Sequence, residues 1–150
     1  MFIEGKGLVK KYGKGEATVY ALDHTDFGME KGEIVVILGP SGSGKSTLLN
    51  ILGGLDKVTE GSMVVDGKDL EKMSAKELEI YRREKLGFVF QSYNLTPDLT
   101  VRENIEMTAE LVNEPLSVDT LIDNLGLGKY EKHFPKELSG GQQQRVAIAR

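Results

Sequence analysis

The sequence predicts an α/β fold in which a strand-rich first part gives way to a helical second part. Three observations carry this. Ile34-Val35-Val36-Ile37-Leu38 is an unbroken, mostly β-branched run, followed at once by a glycine-rich loop and then by leucines at helical spacing. The tetrad Ser74-Ala75-Lys76-Glu77 is a capping-box pattern that opens a helix between two short apolar runs. From Val101 onward the apolar spacing is helical. Strand–helix–strand followed by helices is the order of an α/β domain with a helical insertion.

Taken in order, residues 2–10 and 18–27 read as two extended segments, separated by the turn-rich Lys11-Tyr12-Gly13-Lys14-Gly15-Glu16. A polar turn, Glu30-Lys31-Gly32-Glu33, leads into 34–38. The continuous apolarity of that run predicts a strand buried on both faces, as in a parallel sheet. Leu48, Leu49, Ile51 and Leu52 predict a helix over 46–55, closed by Gly53-Gly54. Met63-Val64-Val65 predicts a strand ending in a turn at Asp66-Gly67, the capping box predicts a helix over 74–85, and Leu86-Gly87-Phe88-Val89-Phe90 predicts a further strand. Helices follow at roughly 101–113, at 118–125 beyond the break Asn113-Glu114-Pro115, and from about Gln142. The expected organisation is residues 1–91 as strands and core, and 92–150 as a helical subdomain.

Composition excludes several classes. With 150 residues, 39% hydrophobic and 28% charged, the chain can bury a core and is not of disordered composition. The longest apolar run, 34–38, is far short of the roughly 20 residues of a membrane-spanning helix. Met1-Phe2-Ile3-Glu4 lacks a basic-then-apolar signal, which argues against export. There is no Cys for disulfides or thiolate metal sites, and two His are too few for a typical structural zinc site. A net charge of −4 argues against a nucleic-acid surface, so no nucleic-acid partner is expected. The unusual count is Gly 18, and many of these glycines fall in loops suited to phosphate.

Gly39-Pro40-Ser41-Gly42-Ser43-Gly44-Lys45-Ser46 fits the phosphate-loop pattern in full, between a strand and a helix. Gly39, Gly42 and Gly44 are expected to supply positive φ and close approach to an oxyanion. Amides at the helix start, through Thr47, would point at phosphate, with the helix dipole adding to the attraction. Lys45 would place a cation at the β- and γ-phosphates, and the Ser46 hydroxyl would ligate Mg²⁺. A second candidate is Leu138-Ser139-Gly140-Gly141-Gln142, a serine and two glycines opening a helix. It reads equally as an anion-receptive terminus or as a plain helix cap.

Together these two motifs resemble the ATP-binding subunits of ATP-binding-cassette (ABC) transporters. There the phosphate loop is the Walker A motif and Leu-Ser-Gly-Gly-Gln is the signature motif. The resemblance runs over the whole chain. It implies a P-loop NTPase core sheet with an N-terminal antiparallel β subdomain and a helical signature subdomain. It implies ATP and Mg²⁺ as cofactors, with Lys45, Gln91 and Ser139 as catalytic residues. ATP would be held by Tyr12, Gly39, Pro40, Ser41, Gly42, Ser43, Gly44, Lys45, Ser46, Thr47, Ser139, Gly140, Gly141 and Gln142, and the metal by Ser46 and Gln91. Gln91 matches the Q-loop glutamine, although a polar residue ending a strand is the simpler reading. Tyr12 matches the aromatic ring on which adenine stacks; Tyr20, the competing ring, sits in an apolar segment and is expected in the core. His133 is expected to be a surface or packing residue.

The resemblance further implies a homodimer with a head-to-tail nucleotide sandwich, a membrane permease subunit as partner, and a cytoplasmic location peripheral to the inner face of the membrane. The segments around Gly15, Leu48 and Gly87 resemble the macrolide-export, lipoprotein-releasing and antimicrobial-peptide-resistance branch, which implies an exporter. The segment 92–99 would receive the membrane subunit, with Tyr93 and Leu95 as anchors; the alternative is that Leu95 and Leu99 pack onto their own helices. The family continues after the signature helix with the Walker B strand, its aspartate and a catalytic glutamate. Their absence here implies roughly the first two-thirds of a cassette, with the C-terminal third missing and hydrolysis by these residues alone not expected. Two further readings are a soluble, non-transport ABC ATPase and a non-hydrolysing nucleotide-binding fragment. The first usually carries tandem cassettes or long coiled coils, which this sequence does not contain.

Overall fold

A computed structural model describes residues 1–150, which divide into two compact units, Met1–Leu86 and Gly87–Arg150. The division falls a few residues before the 91/92 boundary expected from sequence.

In the first unit, β1 (Ile3–Tyr12) and β2 (Val19–Met29) pair antiparallel. The turn between them is set by Gly13, at φ 87°, where a Cβ would meet the Ala17 carbonyl oxygen at 2.4 Å. β3 (Glu60–Val65) pairs with the other side of β1, and the short β4 (Lys68–Asp69) completes an antiparallel sheet of order β2-β1-β3-β4. The β1 register shifts between Gly5 and Leu8, and the irregularity lets the consecutive Leu8 and Val9 both be fully buried. α1 (Lys45–Leu52) packs Leu48 and Ile51 onto this sheet's core, and α2 (Ala75–Lys85) adds Leu78 and Tyr81.

α2 begins where the sequence says. Ser74 accepts from the Glu77 amide and Glu77 from the Ser74 amide, so the capping box is closed on both sides. α2 also finishes α1: the Tyr81 hydroxyl donates to the Leu52 carbonyl at 2.8 Å and Arg82 to the Gly54 carbonyl at 2.7 Å. Two carbonyls at the α1 terminus thereby find partners.

The two inner strands expected at 34–38 and 86–90 are not formed. Neither segment belongs to a sheet. Ile34 is 95% and Leu38 86% exposed, and of this run only Ile37 packs against the core. Phe88 and Phe90 stack on each other at 5.3 Å. A β-branched run biases its backbone toward extension, but a strand exists only through a ladder with neighbours, and no segment here supplies one. The sheet present is the antiparallel N-terminal one. Tyr20 also departs from expectation: it is 53% exposed rather than core, whereas Leu22 on the same strand is buried.

The second unit is helical. α3 (Val101–Ala109), α4 (Val118–Asn124) and α5 (Gly140–Ala149) enclose Val101, Ile105, Ile122, Leu127, Leu138 and Val146. α3 ends several residues before the expected 113. The fully buried Asn104 accepts from the Thr96 amide and donates to the carbonyls of Thr96, Leu99 and Thr100, which folds 96–100 onto α3. Arg102 reaches Glu106, Asp119 and Glu131, joining α3 to α4 and to the segment after it. Those carboxylates, Asp119 first, hold its guanidinium above its ordinary range.

Candidate functional site: a phosphate loop and a capped signature helix

The loop 39–44 delivers the chain into α1 without a cap. Gly44, at φ 86°, precedes the first helical residue and offers no side-chain acceptor, so the first-turn amides of Lys45, Ser46 and Thr47 have no partner within the helix. Leu48 is the first residue of α1 to bond back, to the Gly44 carbonyl at 2.9 Å. Glycine is obligatory at 44 for a second reason. A Cβ there would meet the Ala21 carbonyl oxygen at 2.1 Å, so the loop is seated directly on β2. Gly42 has the expected positive φ of 79°, but Gly39 does not. Its role is space: a Cβ would lie 2.5 Å from the Ser43 hydroxyl.

Lys45 folds back across the loop. Its ammonium donates to the carbonyls of Gly39 at 2.9 Å and Pro40 at 2.6 Å and lies 3.4 Å from the Ser43 hydroxyl. Ser41 and Ser46 are exposed and Thr47 is half-buried. The arrangement gathers one cation, three uncapped amides and several hydroxyls at a helix N-terminus, which is a site for a polyanion.

Tyr12, at the end of β1, is 44% exposed, so its ring is available at the surface of the same unit. Its hydroxyl donates to Asp56 Oδ2 at 2.7 Å. That bond holds the phenol above its ordinary pKa; burial adds to the shift, and the Thr47 hydroxyl and Lys10 oppose it. Asp56 Oδ1 accepts from Lys10 and from the Lys57 amide. Burial would raise the Asp56 carboxyl, but the Lys10, Tyr12 and Lys57 hydrogen bonds outweigh it and keep the group below the usual carboxylate range. The Lys10 ammonium also lies 5.0 Å from the Tyr12 ring centre. Tyr20 carries Lys11 in the same way at 5.1 Å.

In the second unit, Ser139 caps α5. Its hydroxyl accepts from the Gln142 amide at 3.3 Å, and the Gln142 carboxamide oxygen accepts from the Ser139 amide at 2.7 Å. The motif thus caps its own helix through Ser139 and Gln142, while Gly140 and Gly141 are exposed and their amides have no partner within the helix. Gln91 is exposed and opens a turn in which Tyr93 and Asn94 both take left-handed backbone, at φ 60° and 50°. One hydrogen bond ties that turn to the end of α5, and the Tyr93 hydroxyl lies close to Gly140; neither is visible in the sequence. The Arg150 guanidinium donates to the Asn94 carbonyl, and a Cβ at Gly140 would lie 3.9 Å from the Tyr93 hydroxyl. Of the two leucines in the alternative reading, Leu95 packs onto the helical core and Leu99 is not part of that cluster. His133 is half-buried, with its ring edge-on to Tyr130 at 5.7 Å, a packing residue. No group of three or more His, Cys, Asp or Glu is placed to hold a metal.

An α/β fold with a phosphate loop entering an uncapped helix defines a nucleotide-binding protein of the P-loop class. The family model described as ABC transporter matches residues 22–150, and the chain belongs to that family. An uncharacterized ABC transporter ATP-binding protein, MJ1508, of Methanocaldococcus jannaschii is 47% identical over 99% of this chain and 68% of its own. The macrolide export ATP-binding/permease protein MacB of Mannheimia succiniciproducens is 46% identical over 99% of this chain. The chain spans 24% of that MacB and 32% of the length of each of two Mycoplasma relatives that it matches. The dimeric, post-hydrolysis structure of the ATP-binding cassette MJ0796 bound to ADP and Pi superposes with a TM-score of 0.88 at 42% identity, covering 98% of this chain and 67% of that one. No helix of this chain is long and apolar enough to cross a membrane.

Proposed function

We propose that this chain binds ATP on its phosphate loop and forms part of a cassette that powers a membrane transporter. The observation that carries the reading is the uncapped first turn of α1 behind Gly44, with the Lys45 ammonium lying across the loop carbonyls. The β- and γ-phosphates would take over the ammonium and the amides of Gly42 to Thr47. Ammonium–phosphate bonds, with both partners charged, are stronger than the ammonium–carbonyl bonds they would replace. Tyr12 would stack the adenine, which its exposed ring permits.

The Ser46 hydroxyl is exposed in the first turn of α1 and fits Mg²⁺ as one ligand beside phosphate oxygens. The family resemblance supplies Gln91 as another. Bound there, the ion would neutralise phosphate charge. Ser139, Gly140, Gly141 and Gln142 would reach the nucleotide of a second copy in a head-to-tail dimer. The dimeric MJ0796 cassette supports association, and the ATP-binding/permease relative MacB supports a permease partner, an inner-face membrane location and an exporter.

Hydrolysis would need a metal-binding aspartate and a base, and the acidic candidates here are otherwise engaged. Asp66 sits in the β3–β4 turn at φ 49°, and Asp56 is held by Lys10 and Tyr12. Calorimetric titration of ATP tests the binding reading. Lys45→Ala is expected to weaken affinity at least about tenfold, or about 1.4 kcal/mol. Equal affinities would overturn the phosphate-loop assignment. The 150-residue chain is also expected to turn over ATP no faster than Lys45→Ala; robust Mg²⁺-dependent turnover would show that these residues contain the catalytic groups.

A further inference from the structure

The motif Gly53-Gly54-Leu55-Asp56 follows the phosphate-loop helix, and the proposed ATP site leaves its aspartate without a role. We infer that Asp56 is a positioning residue for the nucleotide base: it fixes the Tyr12 ring from behind, with Lys10 as its counter-ion, and so ties the base platform to the end of α1. The inference rests on the reading of Tyr12 as the ring on which the base stacks.

The geometry builds upward from the backbone. α1 ends at Leu52, and the amides of Leu55 and Asp56 both bond back to the Asn50 carbonyl, at 2.9 and 3.2 Å. This anchors the Asp56 backbone on the helix that carries Lys45 and Ser46. Just beyond, Thr59 bonds β1 on both sides, its amide to the Val9 carbonyl at 2.7 Å and its hydroxyl from the Lys11 amide at 3.0 Å. The loop is thereby laid along β1, where Lys10 and Tyr12 emerge.

Both carboxylate oxygens of Asp56 are engaged, by three donors: Lys10 and the Lys57 amide on Oδ1, the Tyr12 hydroxyl on Oδ2. Lys10 is itself pinned, donating to the Lys57 carbonyl at 2.7 Å, and its side chain is only 13% exposed, far less than a solvated surface lysine. With its ammonium 5.0 Å from the ring centre, Lys10 covers one side of Tyr12 while the ring stays 44% exposed. A tyrosine held at its hydroxyl and backed by a cation has lost its rotamer freedom before the base arrives. That lowers the ordering cost of stacking. Affinity for the base then depends on Asp56, which need not touch the ligand.

Titrations with two probes, ATP and inorganic tripolyphosphate, test this. Asp56→Ala and Tyr12→Phe each untie the ring while leaving it present. Each is expected to weaken ATP about threefold to tenfold and to leave tripolyphosphate within about twofold. The double variant should be no weaker than either single, since both break the same bond. Asp56→Asn, which keeps an acceptor for the hydroxyl, should recover most of the loss. A purely structural role would lower affinity for both probes together, and circular dichroism identifies any variant that has unfolded. If Tyr12→Ala weakens ATP but Asp56→Ala and Tyr12→Phe do not, the positioning role is overturned and the stacking role survives. If Tyr12→Ala leaves ATP unchanged, or neither probe binds the unmodified protein, the stacking or phosphate-loop reading fails and the inference falls with it.

Discussion

Two helices of this chain begin with glycine-rich motifs, and they treat their N-termini in opposite ways. α1 starts behind Gly44, which has no side chain to cap with and holds a left-handed backbone. α5 starts behind Ser139, whose hydroxyl and amide exchange hydrogen bonds with Gln142. The first terminus keeps its amides available and brings its own cation. The second caps one of its first-turn amides, that of Gln142, and brings no cation, its first turn being Gly140, Gly141 and Gln142. Glycine content alone therefore does not make an anion site. What separates the two is whether the residue before the helix can cap it, and whether a cation stands beside it.

The largest effect expected from this contrast is at Gly44. Gly44→Ala combines a backbone at φ 86° with a Cβ only 2.1 Å from the Ala21 oxygen, so the loop must leave β2 or distort it. A stability loss of about 3 kcal/mol or more in denaturant unfolding is expected, together with loss of ATP affinity. Gly141→Ala is the matching change in the other motif. No atom lies within 4 Å of its Cβ position, and stability there should change little or rise. Similar losses at both sites would break the comparison.

Ser139→Ala should cost about 1 kcal/mol, the usual loss when a capping oxygen is removed. ATP affinity measured on a monomer should be unchanged, because the α5 terminus is not where that reading places the phosphates. A drop in monomer affinity would contradict the division of roles.

The smallest expected effect concerns acid. The capping boxes of α2 and α3 close with Glu77 and Glu103, whereas that of α5 closes with the uncharged Gln142. The Ser74 and Thr100 hydroxyls, and then their amides, donate to the two glutamates and lower their pKa values from 4.5. A lowered folded-state pKa contributes stability above the unfolded-state value that is lost as pH falls through the folded one. Amide protection at the starts of α2 and α3 should therefore weaken below about pH 4.5, while that of α5 holds. Hydrogen exchange read residue by residue between pH 6 and pH 3.5 is the measurement.

Much of the fold could be read from the sequence wherever the decisive interactions are local. α2 spans Ala75–Lys85 as its capping box specifies, and the phosphate loop has its helix on cue. The failures lie where the deciding partner is distant. The run 34–38 has every local mark of a strand and no ladder partner. Tyr20 sits in an apolar run but falls on the solvent face of β2, while Leu22 two residues on is buried. The Asp56–Tyr12 bond joins residues 44 apart and depends on the loop after α1 being laid along β1. Asn104 folds 96–100 onto α3 and Arg150 ties down the turn at Asn94, and no motif marks either.

The proposed contrast, an α1 terminus that takes polyanions against an α5 terminus with a capped Gln142 amide and no cation, is open to test by NMR. Amide shifts and exchange protection would be followed while inorganic tripolyphosphate is added to the protein at a concentration where sedimentation shows a monomer. Shifts and new protection are expected at Gly42, Gly44, Lys45, Ser46 and Thr47, with Gly140, Gly141 and Gln142 unmoved. Equal perturbation at the two termini, or a response confined to α5, would contradict it.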